Sequence, residues 1–351
     1  MSQFMLRFAM NPFPPDLEAL WALPLPELIA RADEVRRRRV GDGVWLRGLL
    51  EFTNRCTQGC AYCGIRGGNG RAVRYSLTED QIEATVRRGW DRGFRTFVLQ
   101  GGEDPDWTTD RLCRLAERLR IILGDQGALT LSCGIKSRED YRRLAEAGAN
   151  RYLLRFETSD PELFSPLKPG QTLARRLEAL QDLRDGGFEV GSGFLVGLPG
   201  ETEETRRENL RLCASLKLHM VGIGPFLPHP DTPLEGAQPG SMEDTVRLVA
   251  LLRLLLPEAN IPATTAAGSR DAGGREAMLA AGANVLMPNL TPPGAREHYT
   301  LYPGKVALVR DGAEDLEELL AHLHSLGRTG LLEQGDSLAF LRDQVSREPT
   351  L

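Results

Sequence analysis

Three cysteines stand within eight residues in the segment Asn54-Arg55-Cys56-Thr57-Gln58-Gly59-Cys60-Ala61-Tyr62-Cys63-Gly64. The spacing is C-x3-C-x2-C, and Gly59 permits a tight turn, so three thiolates can converge on one metal centre. Thiolates are the usual ligands of iron–sulfur clusters. A four-iron cluster held by three cysteines leaves one iron open to a small molecule. That is a cofactor-activating site rather than a plain electron carrier. The competing reading is zinc, which in structural sites wants four closed ligands. No fourth cysteine and no histidine lie in this segment.

Other residues invite chemistry of their own. Gly101-Gly102-Glu103 offers backbone that a ligand can approach closely, plus a carboxylate, or else a simple turn. In Arg151-Tyr152-Leu153-Leu154-Arg155-Phe156-Glu157-Thr158, Arg155 and Glu157 are two apart and face one side of an extended segment. Charges on a buried strand are costly unless paired, so they form either a mutual ion pair or a site for ionic ligands. Arg176 is a second carboxylate-binding candidate, or a solvent-facing helix residue. Thr264 and Thr265 can donate hydroxyls to an anion; Met287, Tyr299 and Tyr302 can wall a cavity or pack in the core. His229, in Pro228-His229-Pro230-Asp231, reads as loop architecture. Cys113 and Cys213 fall on helical segments and read as core, whereas Cys133 falls near the rim.

The elements that must position these residues alternate. Strand-like apolar runs are Trp45–Phe52, Thr96–Leu99, Leu129–Ser132, Tyr152–Phe156, Val190–Val196, Met220–Pro225, Ile261–Thr265 and Val285–Met287. Between most of them lie segments of helical period: Thr78–Gly93, Arg111–Leu123, Arg138–Ala147, Leu173–Gly186, Glu203–Leu216 and Met242–Leu256. Thr78 and Thr202 stand where N-caps belong; Gly93, Gly148 and Gly186 stand where helices should stop. Strands alternating with helices give a parallel sheet, and eight strands close a barrel. The expected fold is α/β, a (β/α)8 TIM-type barrel over residues 41–310, with an open doubly wound sheet as the alternative. Residues 1–40 read as a helical extension in which Asp16 caps a first short helix. Residues 311–351 read as a helix, Ala313–Leu326, and a polar tail packed on the barrel, after a short strand that follows Gly304. Active sites of such barrels sit at the C-terminal ends of the strands, where the residues singled out above fall.

Composition sets the outer limits. A net charge of −5 gives no broad electrostatic footprint for nucleic acid, and the run Arg36–Arg39 reads as a solvated helix end. No window approaches the ~20 apolar residues of a membrane span, and the N-terminus lacks a signal-peptide pattern. Six cysteines are too few for a disulfide scaffold. The expectation is a cytoplasmic protein whose clustered cysteines bind metal.

With an aromatic residue before its last cysteine, the loop Cys56-x3-Cys60-x-Tyr62-Cys63 after a first barrel strand resembles the radical S-adenosylmethionine (SAM) superfamily. The resemblance implies that Cys56, Cys60 and Cys63 bind a [4Fe-4S] cluster whose open iron is chelated by SAM, and that Tyr62 packs near the adenine. It implies that Gly101, Gly102 and Glu103 meet the SAM amino group, and that Glu157 and Arg176 hold SAM. Within the superfamily, strings such as Glu51-Phe52-Thr53-Asn54, Asn260-Ile261-Pro262-Ala263-Thr264-Thr265 and Leu301-Tyr302-Pro303-Gly304-Lys305 are similar to the HydE family of [FeFe]-hydrogenase maturases, which groups with biotin synthase and methylornithine synthase. That family implies a cysteine-bound Fe(CO)2(CN) substrate made by the maturase HydG. Arg155, Thr264, Thr265, Met287, Tyr302 and Met220 would line its cavity. It also implies contacts with HydG and HydF and an electron donor such as ferredoxin or flavodoxin. Gly101 stands where a serine is common in the family and Phe156 where a histidine is common; no cysteine follows Cys213, so a second C-terminal cluster cannot form in the usual way. Two alternatives remain at this point. One is a related radical SAM mutase or sulfur enzyme acting on an organic amino-acid-like substrate, and the other is a non-catalytic metal-binding carrier.

Overall fold

The computed structural model describes residues 17–305 and 316–346. The expected cap at Asp16, the short strand after Gly304 and the start of the helix at Ala313 lie outside the described residues. Among the described residues the strands are β1 (Gly43–Leu46), β2 (Gly48–Thr53), β3 (Thr96–Gly101), β4 (Ala128–Ser132), β5 (Arg151–Leu153) and β6 (Glu189–Ser192). They continue with β7 (Leu195–Val196), β8 (Met220–Val221), β9 (Gly224–Pro225), β10 (Val285–Leu286) and β11 (Thr329–Leu331). β2-β3-β4-β5-β6-β8 form one parallel sheet in that order. Three parallel bridges carry the circuit onward: Met220 to Asn260, Pro262 to Val285, and Asn289 back to Leu49 in β2. The eight staves therefore close into a barrel, as expected.

Helices fill the intervals, and their starts are chemically marked. Thr78, Thr108, Ser137, Thr172, Thr202 and Ser241 each cap a helix by accepting a backbone N–H with the side chain, worth about 1 kcal/mol apiece. In helix Thr109–Leu123, Leu112, Leu115, Ala116, Leu119 and Leu123 are buried at the spacing of one helical face. Gly93 and Gly148 take positive φ where helices end; at the next stop the positive φ falls on Gly187, one residue beyond the expected Gly186.

Several elements are shorter than the apolar runs suggest. β5 stops at Leu153, not Phe156, because Glu157 adopts a positive φ of 68° and Ser192 Oγ takes over the pairing, donating to Leu154 O at 2.8 Å and accepting from Phe156 N at 3.2 Å. The run Ile261–Thr265 makes only one isolated bridge, at Pro262, with another at neighbouring Asn260: Pro262 has no N–H for a ladder, and Thr264 already stands at the N-terminal boundary of the helix Thr265–Arg270. β10 likewise ends before Pro288.

The C-terminal segment is more than a polar tail. β11 pairs in parallel with β1, and helix Leu338–Val345 follows. Between them, residues 334–337 close the barrel's N-terminal end. Arg151, fully buried, donates to Gln334 O at 2.7 Å and to Asp336 Oδ1 at 2.6 Å, and pairs with equally buried Glu189 at 2.5 Å. The opposite end stays open. No helix among the described residues is long and apolar enough to cross a membrane.

Candidate active site

The cysteine loop leaves the C-terminal end of β2 and is held by its own polar side chains. Asn54 Nδ2 donates to Val73 O and His298 O, both at 2.7 Å, and Oδ1 accepts from Tyr75 N at 2.7 Å. Arg74 donates to four carbonyls along the loop: Asn54, Ile65, Arg66 and Asn69. His229 does serve as architecture. Its Nδ1 accepts from Asp231 N at 3.0 Å, and its ring lies where a side chain at Gly64 would go. The neighbouring βα turn presses equally close, since a Cβ on Gly102 would sit 2.1 Å from Arg55 O and 2.7 Å from Cys56 Cβ.

All six described cysteines are free. Cys56, Cys60 and Cys63 line one cavity of roughly 330 Å³. Two backbone N–H groups, from Gln58 and Glu103, donate to Cys56 Sγ at 3.4 Å each. Burial pushes the Cys63 thiol up to about 12, with neighbouring Cys60 adding to the rise. A cationic metal centre against all three sulfurs reverses that penalty.

A chain of polar contacts rings the mouth. Glu103 Oε2 accepts from Gln58 Nε2 at 3.1 Å, Gln58 Oε1 accepts from Gln171 Nε2 at 2.7 Å, and Gln171 Oε1 accepts from Arg176 Nη2 at 2.6 Å. Arg176 Nη1 donates to Arg155 O at 3.1 Å. Arg155 and Glu157 form a mutual ion pair at 2.9 Å, the first of the two readings open to them, and Tyr62 Oη donates to the other Glu157 oxygen at 2.9 Å. Burial alone would raise the Glu157 carboxyl, but Arg155, Lys168 and Arg176 hold it below its ordinary value. Arg176 is buried rather than solvent-facing, because it lies on the same helix face as Leu173, Leu177 and Leu180.

Every residue singled out above for cluster, SAM or substrate lines this same cavity. Tyr62, Gly101, Gly102, Glu103, Glu157 and Arg176 cluster at the cysteine mouth; Arg155, Met220, Thr264, Thr265, Met287 and Tyr302 lie among its walls. Cys113 and Cys213 are buried on helices, and Cys133 is buried against Tyr152 Oη at 3.4 Å rather than lining the cavity. The structure adds residues not singled out. Arg47 reaches the floor, donating to Met220 Sδ at 3.0 Å and to Gly335 O at 3.1 Å; burial and nearby Arg151 press its guanidinium down to about 9. Glu51 pairs with buried Lys305 in the wall. Lys168 extends to Cys60. Arg47 and Glu51 were within reach of the argument applied to Arg155 and Glu157, as charges inside a buried strand. Lys168 had no such signal.

Fit to an iron–sulfur cluster and SAM is visible in unspent polar atoms. Arg155 Nε and Arg176 Nε are buried at the mouth without a hydrogen-bond partner. These are donors for a carboxylate, beside three free thiols. Residues 50–213 match the profile of the Radical SAM superfamily. Residues 223–328 match the Biotin and Thiamin Synthesis associated domain. The chain is 43% identical over 301 residues to the [FeFe] hydrogenase maturase subunit HydE of Thermotoga maritima, covering 86% of each chain.

The chain belongs to the HydE family of radical SAM enzymes.

More distant radical SAM relatives agree with this placement. The chain is 29% identical to the 3-methylornithine synthase of Methanosarcina acetivorans, covering 89% of this chain and 88% of that one. Its fold matches a crystal structure of methylornithine synthase with a TM-score of 0.79 at 27% identity, covering 94% and 97% of the two chains. As a radical SAM enzyme the chain uses an iron–sulfur cluster and SAM, and the carrier reading falls.

Proposed function

We propose that this enzyme acts on a cysteine-bound Fe(CO)2(CN) precursor during maturation of the [FeFe]-hydrogenase H-cluster. Cys56, Cys60 and Cys63 would hold the [4Fe-4S] cluster. When bound, cluster and SAM supply a one-electron cleavage of the sulfonium and a 5′-deoxyadenosyl radical. The protein's own residues do the rest. Arg176 offers N–H donors to the SAM carboxylate, Glu103 offers an acceptor to its ammonium, Glu157 takes the ribose hydroxyls, and Arg155 lines the substrate cavity. Tyr62 aims Glu157 through its hydroxyl.

The observation that carries the substrate reading is the cavity's lining: Arg47 at the floor and Thr264 and Thr265 in the walls face the same cavity as the cysteines, and an anionic metal–cyanide complex needs such donors. In this reading a ferredoxin or flavodoxin would deliver the electron, and HydG and HydF would be partners.

The test is anaerobic reconstitution with iron and sulfide, then SAM and reductant, with 5′-deoxyadenosine and its adducts measured with and without the iron complex. A rise in cleavage or a sulfur-linked adenosyl product, lost in Cys60→Ala, supports the proposal. Cleavage indifferent to the complex, but stimulated by an amino acid, would replace it with a methylornithine-synthase-like activity.

A further inference from the structure

The three cluster thiols are not equivalent. Cys56 Sγ receives two neutral backbone N–H groups, from Gln58 and Glu103, and the uncharged Ile65 amide is the backbone group that acts on Cys63. Cys60, the most buried of the three, is instead approached by a side chain with a full charge: Lys168 Nζ lies 3.4 Å from its sulfur. Lys168 is only 6% exposed. Its ammonium also sits 5.4 Å from the centre of the Tyr62 ring, so the aromatic residue between Cys60 and Cys63 covers its other side. The Lys168 charge also acts through space on the Glu157 and Glu103 carboxyls, but its hydrogen-bond partner is a metal-binding sulfur. The placement is built by sequence. Phe164 O accepts from Lys168 N at 3.0 Å as helix Pro161–Leu167 ends, and Ala61 N donates to Leu167 O at 2.9 Å, tying that helix end to the cysteine loop.

We propose that Lys168 sets the reduction potential of the cluster, by holding a positive charge against the Cys60 sulfur. The proposal rests on the assignment of Cys56, Cys60 and Cys63 as cluster ligands. Reduction adds one negative charge to the cluster. A fixed ammonium stabilises the reduced form more than the oxidised form, so Lys168 raises the potential and makes the electron easier to deliver. Hydrogen bonds and net charge at the sulfurs are the protein's main control over such potentials, and a charged donor outweighs the neutral amides on the other two thiols.

The test is an anaerobic redox titration of the reconstituted protein, without SAM, followed by the EPR signal of the reduced cluster. At the potential where the wild-type cluster is half reduced, Lys168→Met should lower the ratio of reduced to oxidised cluster at least tenfold, a shift of about 59 mV for one electron. Lys168→Arg, which keeps the charge, should stay near wild type. Lys168→Gln serves where the Met variant holds too little iron to titrate, and should fall as Met does. An unchanged potential in the neutral variants, with SAM binding weakened instead, would overturn the proposal and make Lys168 a grip for the SAM carboxylate. A potential that falls equally in Lys168→Arg would also overturn it. Failure of the underlying ligand assignment looks different: the wild-type protein itself would give no reduced-cluster signal.

Discussion

Gly102→Ala gives the sharpest view of how the barrel rim fixes the cysteine loop. The added Cβ would lie 2.1 Å from Arg55 O and 2.7 Å from Cys56 Cβ. A relaxed carbon–oxygen contact is about 3.3 Å or longer, so one backbone must retreat by roughly 1 Å. The obstacles are main-chain atoms and the first side-chain carbon, and no rotamer change removes them. Overpacking of this kind costs about 1–3 kcal/mol in stability. A displacement near 1 Å at a reacting centre costs on the order of 10²-fold in rate. The control is Gly101→Ala, whose Cβ would meet Phe52 ring carbons at 2.8 Å and Thr53 Cγ2 at 2.9 Å. Those are side-chain atoms that can give way. The assay is iron and sulfide per chain, then 5′-deoxyadenosine formation under saturating reductant. Gly102→Ala should retain a folded barrel by circular dichroism and lose cleavage about a hundredfold, while Gly101→Ala should lose far less. Equal losses in the two variants, or wild-type cleavage in Gly102→Ala, would refute the reasoning.

Three further outcomes follow from the same geometry. Arg151→Met leaves Glu189 buried without its partner, and urea unfolding should show a loss of about 3–5 kcal/mol; Arg151→Met with Glu189→Met should recover much of it. Tyr62→Phe removes the hydroxyl that donates to Glu157 at 2.9 Å, and SAM affinity by calorimetry should weaken by about 0.5–1.5 kcal/mol, with cluster content unchanged. Glu157 has a folded pKa below its ordinary 4.5, so its contribution to stability is fully present above the unfolded value and is lost as pH falls through the folded one. The stability difference between wild type and Glu157→Gln should therefore be flat from neutral pH down to about 5 and shrink below 4.5; a difference that changes between pH 6 and 8 would contradict this.

The readable parts of the sequence were those where chemistry and period coincide. Thr78 and Thr202 announced helix starts because a hydroxyl before a helical period has one good use, and both cap as expected. The cysteine loop was readable because its spacing admits few purposes. The strand near Ile261 was overestimated, since apolar period cannot reveal that Pro262 and the helix boundary at Thr264 leave only isolated bridges. The barrel floor was unreadable for a different reason. Arg47, Arg151, Glu189 and Asp336 are far apart in sequence and meet only when the C-terminal segment crosses the barrel end. Arg176 was ambiguous because it sits on the buried face of its helix with Leu173, Leu177 and Leu180, where an arginine is tolerated only if it finds acceptors, and those, Arg155 O and Gln171 Oε1, are brought to it by the fold.

Mössbauer spectroscopy of the reconstituted protein, with and without SAM, tests the central claim most directly. Three cysteine ligands and one open iron predict that SAM shifts the signal of a single iron site and leaves the others in place, and that Cys60→Ala loses the cluster. Four iron sites indifferent to bound SAM, or a stable cluster in Cys60→Ala, would contradict the account.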